Sequence, residues 1–385
     1  MPEGSESGDQ TDPRSREFAK ARLKPVDFED LPGFAEDDAL ASWQVFQVSC
    51  ERLIRQDAPL RAAVAPGKAL MNWFTSVAHL SPPSCTDDAL RLWKTVARPH
   101  RTSDPVHENA PGFLTGYYEP VVDGSLVRKS EFTEPVRSRP RDLVSVNDFP
   151  QTEISGFRRS PDGSLTPYPT RAEIDAGAID GQSEPIIWLR DAIEVFILQV
   201  QGSGRVRLAD GTTKRLIYAG RNGRPYTSIG QILIREGAIQ PRDMSLQSLK
   251  HWVRQNGQDL GQGGRNLLHR NESYVFYDWN DELPDSDGPV GGQGVSLTQL
   301  RSIAVDRTIW PYGLPFWLDA EIPWRDEKPS SFRRLMIGQD TGTAIVGPAR
   351  FDIYFGSGDA AGEAAARIRH PCDAFVLLPA KRSFS

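Results

Sequence analysis

Two aspartates, Asp340 and Asp352, lie in the stretch LMIGQDTGTAIVGPARFDIYFGSG, residues 335–358. A carboxyl group placed among apolar side chains loses its water, and this loss raises its pKa. A carboxylic acid that stays protonated near neutral pH can donate a proton to a substrate. The stretch therefore indicates acid–base chemistry at Asp352, although a turn cap or an ion pair with Arg350 explains the same residue equally well.

The sequence around these aspartates predicts the short strands that would hold them. LMIGQD reads as a buried strand before a Gly-rich turn, and the residues from 349 to 355 alternate with period two. A third aspartate, Asp306, ends another short strand. The alternation predicts one face with Phe351, Ile353 and Phe355, and an opposite face with Arg350, Asp352 and Tyr354.

The chain lacks the motifs of metal, serine or nucleotide chemistry. Its six histidines are scattered, and neither an HExxH motif nor a Cys/His zinc spacing occurs. There is no GxSxG motif and no phosphate or dinucleotide fingerprint. Three aspartates together could bind a hard cation, but we expect neither a metal nor a cofactor.

Several motifs resemble, in the same order, those of the MltA family, the membrane-bound lytic murein transglycosylases A. They are LTGYYEP (114–120), LQVQGSG (198–204), YAGRNGRPYTSIG (218–230), NESYVFY (271–277), AVDR with IWPYG (304–313), IGQDTG (337–342) and GPARFDIYFG (347–356). The resemblance covers residues 110 to 379. In one departure, Thr343 replaces the second glycine of the family's Asp-Thr-Gly-Gly, and threonine disfavours a positive φ. We therefore expect the turn after Asp340 to differ in detail.

The resemblance implies a mixed α+β fold, mainly β, with two parts. A double-psi β-barrel of residues 295–385 would pack with an N-terminal helical part, residues 25–120. A β-rich insert, residues 121–280, would form a second domain, followed by a linker at 281–294, with the substrate groove between the two parts. Residues 1–24 are predicted to be disordered because they are polar and almost free of apolar side chains. Periodicity alone predicts only mixed α and β with short strands.

The resemblance also implies a lytic transglycosylase that cleaves the β-1,4 bond between N-acetylmuramic acid and N-acetylglucosamine in peptidoglycan. Asp352 matches the family's acid, which turns into the base when the muramoyl C6 hydroxyl closes a 1,6-anhydro ring. Asp340 and Asp306 match supporting carboxylates. An exo-acting lyase is implied, although the residues alone do not distinguish attack at strand ends from attack within strands.

Two other functions stay open. A water-using hydrolase would need a second carboxylate about 5–9.5 Å from Asp352. A non-catalytic glycan-binding or scaffold protein on the same fold is the alternative from another class, and Thr343 is its best support inside the motifs.

Aromatic and amide side chains are the candidates for sugar binding. Tyr117 and Tyr118 are adjacent in a predicted strand, so one can pack in the core while the other lines a groove and stacks on a pyranose. Both could equally be ordinary sheet aromatics. Gln201 is predicted to close a buried strand, where its amide would bind an N-acetyl or hydroxyl group. The predicted substrate-binding residues are Thr115, Tyr117, Tyr118, Gln201, Gly202, Ser203, Tyr218 and Tyr354.

Composition narrows the partners and raises a question of location. The net charge of −6 disfavours nucleic acid and anionic membrane as partners. The resemblance implies peptidoglycan glycan strands as the partner, and wall-synthesis proteins as further candidates. Three cysteines do not make a disulfide framework.

The family implies the periplasm or the outer-membrane face. The first residues nevertheless lack the apolar segment of a secretory signal and a lipobox cysteine, and no apolar run is long enough for a membrane span. Either the native start lies upstream, or the chain is a trimmed form, or export takes another route.

Overall fold

The computed structural model describes residues 18–107, 110–145, 154–280 and 283–380. The strands are β1 Arg22–Pro25, β2 Ala97–Ser103, β3 Gly112–Glu119, β4 Val121–Ser125, β5 Glu134–Arg137, β6 Leu143–Ser145, β7 Gly156–Arg159, β8 Leu165–Pro167, β9 Pro185–Leu189, β10 Gly204–Arg207, β11 Thr213–Arg221, β12 Val275–Trp279, β13 Ser302–Ala304, β14 Pro315–Ile322, β15 Ser330–Asp340, β16 Arg350–Ser357 and β17 Arg369–Pro379. The helices are α1 Ala39–Ile54, α2 Lys68–Ala78, α3 Thr86–Val96, α4 Arg171–Asp175, α5 Ala192–Gln201, α6 Ile229–Arg235, α7 Leu246–Gln255, α8 Gly263–His269 and α9 Asp359–Ala366. Single 3-10 turns lie at Phe28–Asp30, Phe34–Glu36 and Pro241–Asp243.

The barrel that the resemblance implied is present as a closed ring of six strands. The order in the larger sheet is β1-β2-β17-β14-β15-β13-β16-β3, and an additional pairing of β17 with β3 closes the ring. Two of its pairings, β13 with β15 and β16 with β3, are parallel. The fold class, mixed α and β with β predominant, is confirmed. Because parallel neighbours must be joined by long crossovers, the ring brings together residues that are far apart in the chain.

The N-terminal helices pack on one another through aromatic side chains, and they share one hydrophobic core with the barrel strands. Trp43 and Phe46 of α1 contact Trp93 of α3, with ring centroids 5.0 and 4.9 Å apart, and all three side chains are fully buried. Helix α1 begins after Asp38, whose side chain accepts from the Ala41 amide at 3.0 Å. Its neighbour Asp37 instead forms a buried, bidentate ion pair with Arg301 next to β13.

The chain between 121 and 279 forms two further sheets and a helical cluster. The six-stranded sheet has the order β12-β11-β10-β4-β9-β5, and β6, β7 and β8 form a small antiparallel sheet. The insert joins the barrel at a buried ion pair. Glu119, fully buried at the end of β3, accepts from Arg205 Nε of β10 at 2.7 Å, and Arg205 also donates to the carbonyls of Asp285 and Asp287.

The prediction that Gln201 closes a strand is wrong, because residues Ala192–Gln201 form helix α5. The Asp191 side chain accepts from the Glu194 amide at the start, and Gly202, with φ +84°, ends the helix. Nearly all sides of this apolar run are buried. A run without a polar face has no periodicity that separates helix from strand.

The prediction of a disordered tail at residues 1–24 is also wrong for residues 18–24. Residues 1–17 lie outside the described residues, but Phe18 is buried against Trp310 with ring centroids 5.1 Å apart. Strand β1 then pairs antiparallel with β2. These residues gain their order from tertiary contacts, which the polar local sequence does not reveal.

Candidate active site

Strand register in the barrel brings Asp340 and Asp352 to the same level. Strand β13 lies between β15 and β16, and its residue Ala304 is in register with both Asp340 and Asp352. On the far side of β16, Asp352 lies opposite Thr115, and Tyr354 opposite Tyr117. Since adjacent strands are about 4.8 Å apart, the two aspartate backbones are separated by roughly 10 Å.

Asp352 is held by Thr115. The Thr115 hydroxyl donates to Asp352 Oδ1 at 2.5 Å, and Thr115 Oγ1 accepts from Arg350 Nη2 at 2.8 Å. Burial raises the pKa of Asp352 to about 6, the bond from Thr115 and the charge of Arg350 lower it in part, and the charge of Asp340 raises it. The side chain keeps partial exposure. It is therefore a carboxyl group that can reach a ligand and exchange a proton near neutral pH.

Asp340 is fixed by three donors. Its Oδ2 accepts from the Tyr117 hydroxyl at 2.9 Å, and its Oδ1 accepts from the amides of Gly292 and Thr341, each at 2.8 Å. Burial raises the pKa of Asp340, and these bonds together with the nearby charge of Arg61 oppose the rise. Because the carboxylate oxygens are already occupied, Asp340 is suited to orienting its neighbours.

Asp306 is placed differently from the other two aspartates. Its Oδ1 accepts from the amide and hydroxyl of Thr308, and its Oδ2 accepts from the Gly347 amide at 2.7 Å. The carboxylate is buried and joins the turn after β13 to the loop that leads into β16. This arrangement indicates a role in holding the loop between Asp340 and Asp352.

The predicted tyrosines separate as strand alternation requires. The rings of Tyr117 and Tyr354 lie on the aspartate side with centroids 5.5 Å apart. Tyr118 faces the other way, against Gly362 of α9, and burial raises its pKa to about 12. The Tyr354 hydroxyl contacts Ser357 Oγ at 3.2 Å, and the Ser357 hydroxyl donates to Glu119 Oε2. Of the pair Tyr117 and Tyr118, Tyr117 is thus the one next to the carboxyl groups.

The remaining predicted residues lie in the insert. Gln201, Gly202 and Ser203 follow one another at the end of α5, and Gln201 Oε1 accepts from the Tyr118 amide at 3.1 Å. The predicted sugar-binding amide therefore connects the insert to β3. Tyr218 of β11 lies on the wall of a cavity of about 710 Å3 between the insert and the loop at residues 59–62.

Three site residues were missed by the sequence reasoning. Arg61 donates to the Thr341 carbonyl at 2.8 Å, and its loop carries no pattern that would have indicated this. Arg350 had been considered only as an ion-pair partner. Gly292 lies in the GGQG run assigned to the linker, and there a Cβ would come within 2.4 Å of the Tyr312 hydroxyl. That Gly-rich run was the available signal.

Thr343 does not strain the turn after Asp340. The backbone there has no positive φ, and Thr343 Oγ1 accepts from Arg221 Nη1 of the insert at 2.6 Å. The residue that departs from the family pattern thus forms a contact between the two parts of the chain. Within the described residues, no group of three or more His, Cys, Asp or Glu side chains could hold a metal ion.

Comparisons with known proteins agree with this geometry. The family model described as MltA specific insert domain matches residues 113–278, and the model described as 3D domain matches residues 301–378. The crystal structure of a membrane-bound lytic murein transglycosylase from Agrobacterium tumefaciens superposes with a TM-score of 0.79 at 30% identity, covering 93% of this chain and 97% of that one. The chain belongs to the MltA family.

Other MltA proteins extend the comparison. Membrane-bound lytic murein transglycosylase A of Vibrio cholerae is 34% identical over 261 residues, which are 67% of this chain and 62% of that protein. The chain thus matches less than two thirds of the length of that relative. A crystal structure of Escherichia coli MltA with bound chitohexaose has a TM-score of 0.64 at 27% identity, covering 93% of this chain and 94% of that one. None of the helices in the described ranges is long and apolar enough to cross a membrane.

Proposed function

We propose that this protein is a peptidoglycan lytic transglycosylase. It would cleave the β-1,4 bond between N-acetylmuramic acid and N-acetylglucosamine and leave a 1,6-anhydromuramoyl end. One observation carries the proposal: the partly exposed Asp352, with its pKa raised to about 6, is oriented by Thr115 beside the carboxylate of Asp340. The names of its relatives and the chitohexaose bound by the Escherichia coli protein support the substrate class.

Asp352 acts first as a general acid. Its protonated carboxyl group donates the proton to the glycosidic oxygen, the bond from that oxygen to muramoyl C1 breaks, and positive charge develops at C1. The carboxylate of Asp352 then takes the proton of the muramoyl C6 hydroxyl while O6 bonds to C1. Asp352 ends protonated, as it began, and no water is consumed. Because the nucleophile belongs to the substrate, proximity replaces a second catalytic group.

Asp340 and Tyr117 support this single-acid mechanism. Three donors occupy the Asp340 carboxylate, so activation of a water molecule by this residue is disfavoured. Its negative charge helps to keep Asp352 protonated and offsets positive charge at C1. This favours the transglycosylase over a hydrolase that needs a free second carboxylate.

Aromatic side chains are suited to binding the sugar rings. Tyr117 and Tyr354 flank the carboxyl groups, and Tyr218 lines the cavity beside them. Stacking on the apolar faces of pyranose rings would fix the strand in the groove. Direct sugar contacts of Thr115, Gln201, Gly202 and Ser203 stay predictions, as does that of Tyr118.

The location and the partners belong to the same proposal. We place the protein at the periplasmic side of the outer membrane, because the curated relatives are named membrane-bound lytic murein transglycosylases. Wall-synthesis proteins remain predicted partners. Fractionation of cells producing the native gene product, with detection in the wall-associated fraction, checks this location.

Mass spectrometry of the products released from purified peptidoglycan tests the activity. The wild type and Asp373→Asn, which changes an exposed aspartate on β17, are expected to release anhydromuramoyl ends, and Asp352→Asn none. Reducing muramoyl ends would identify a hydrolase. Absence of products from the wild type, with retained glycan binding, would identify a non-catalytic glycan-binding protein.

A further inference from the structure

Four arginines surround the cavity next to the candidate active site, two from each part of the chain. Arg61 and Arg307 come from the barrel side, and Arg139 and Arg221 from the insert. The Arg61 guanidinium lies over the Tyr218 ring, 5.2 Å from its centroid. Arg61 also donates to the carbonyl of Thr341, the residue after Asp340, so one residue of the cavity wall is bonded to the segment that carries this carboxyl group.

None of these arginines forms an ion pair within 4.0 Å with an acidic residue that the structure describes, although the charges of Asp340 and Asp306 act on Arg61 and Arg307 from a greater distance. They donate instead to neutral oxygens: Arg61 to Thr341 O, Arg139 to Ala219 O, Arg221 to the hydroxyls of Ser155 and Thr343, and Arg307 to Ala62 O. The acidic residue on the cavity wall, Asp278, is exposed, and its Oδ1 accepts from the Trp279 amide. The cavity therefore concentrates positive charge on a protein whose net charge is −6.

Close approach of like charges makes this arrangement costly without a ligand. Burial lowers the pKa of Arg221, and the charges of Arg61 and Arg307 lower it further. Burial and the charge of Arg61 likewise lower the pKa of Arg307, and the charge of the adjacent Asp306 opposes this in part. An anion in the cavity would offset both effects, because guanidinium groups form charge-assisted hydrogen bonds with carboxylates.

We propose that this cavity binds carboxylates of the stem peptide that a muramoyl residue carries in the groove. The inference rests on the proposed function and deepens it. The sugar rings of the glycan are uncharged, so the negative charge of such a strand is carried by its peptides. A volume of about 710 Å3 is large enough for several peptide residues, and four arginines can hold more than one carboxylate.

Calorimetric titration with fragments that lack the cleavable bond tests the proposal without catalysis. The probes are the N-acetylglucosaminyl-N-acetylmuramoyl tetrapeptide, the same disaccharide after removal of the peptide, and di-N-acetylchitobiose. The wild type is expected to bind the peptide probe about tenfold more tightly than the other two. Arg61→Gln and Arg221→Gln should lose this advantage, and Arg221→Lys should keep part of it.

Controls separate this proposal from loss of folding and from failure of the proposed activity. Arg242→Gln, which changes an arginine with an 85% exposed side chain outside the cavity, should bind all probes as the wild type does. If the glutamine variants do not fold, the wild type still gives an answer, since the peptide advantage should shrink as salt rises from about 0.05 to 0.5 M. Equal affinity for the three probes, or an advantage insensitive to salt, overturns the proposal.

The peptide-free disaccharide distinguishes the two sources of a carboxylate. Removal of the peptide exposes the lactyl carboxylate of the muramoyl residue. If this probe binds as tightly as the peptide probe, the cavity recognises the lactyl group and the stem-peptide proposal fails. Since none of these measurements requires cleavage, their outcome is independent of the product analysis above.

Discussion

Thr115 lies directly opposite Asp352 in the parallel pairing of β3 with β16, and its hydroxyl donates to Asp352 Oδ1 at 2.5 Å. The two residues are 237 positions apart in the chain. This bond favours the ionised carboxylate and so limits the rise in the pKa of Asp352 that burial causes.

Thr115→Val should move the alkaline limb of the kcat/KM profile to higher pH. Valine has nearly the same shape but cannot donate, so the pKa of Asp352 should rise by about one unit. The profile measured on soluble glycan strands checks this, with Thr115→Ser as the control that keeps the hydroxyl. An unmoved limb would mean that the bond does not tune the acid.

The wild-type pH profile follows from the same carboxyl group. Asp352 must be protonated to act as an acid, and its pKa is about 6. We expect kcat/KM to fall about tenfold per pH unit once the pH exceeds 6. Initial rates between pH 4.5 and 8, at about constant ionic strength, give the measurement. A profile that stays flat up to pH 8 would remove Asp352 from the role of the acid.

Asp352→Asn should stabilise the fold at neutral pH while abolishing cleavage. The folded-state pKa of Asp352 lies above the ordinary 3.8, so the wild type loses stability as pH rises from about 4 through 6. The neutral amide avoids this loss, which amounts to at most about 3 kcal/mol. In denaturant unfolding at pH 7, the free energy of unfolding should be larger for the variant than for the wild type. This difference should vanish below pH 4. A variant less stable at both pH values contradicts the expectation.

Tyr117→Phe should lower kcat/KM about tenfold without unfolding the protein. The change removes the donor to Asp340 Oδ2, and a hydrogen bond to a charged group contributes about 1.5 kcal/mol or more. Tyr168→Phe is the matched control, because the Tyr168 hydroxyl donates to Asp142 inside the insert, away from the carboxyl pair. Equal loss of activity in both variants would assign the effect to stability.

Glu119→Gln should destabilise the junction between the barrel and the insert. The substitution leaves the mostly buried Arg205 without its countercharge, and breaking a buried ion pair costs about 3 kcal/mol. Asp123→Asn removes an exposed pair between β4 and β10, with Arg207, and should cost less than about 1 kcal/mol. Chemical denaturation of the two variants and the wild type measures the contrast.

The local sequence predicted the elements whose pattern is set by a single buried face. Strand β16 alternates as expected, with Phe351 and Ile353 in the core and Asp352 on the other side. Helix α1 is a second element of this kind, since Trp43, Phe46 and Cys50 lie at helical spacing on its buried face and Asp38 caps its start. In these elements local periodicity and tertiary packing favour the same secondary structure.

Features that depend on distant partners could not be predicted in this way. Strand β1 is polar, and it is stabilised by antiparallel backbone pairing with β2. Arg61 reaches the loop after Asp340 from 280 positions away. Asp306 lies within a recognised motif, yet only the fold reveals that the amides of Thr308 and Gly347 donate to its carboxylate oxygens. Side-chain roles of this kind are set by tertiary contacts between distant parts of the chain.

Strand β17 pairs with β2, β14 and β3, and it is the last strand of the described chain. The ring cannot close until these residues, Arg369–Pro379, have been synthesised. Its closure pairs the second edge of β3, the strand that carries Thr115 and Tyr117. A nascent or C-terminally truncated polypeptide that lacks β17 is therefore expected to hold β3 through its pairing with β16 alone, with the ring open on the other side.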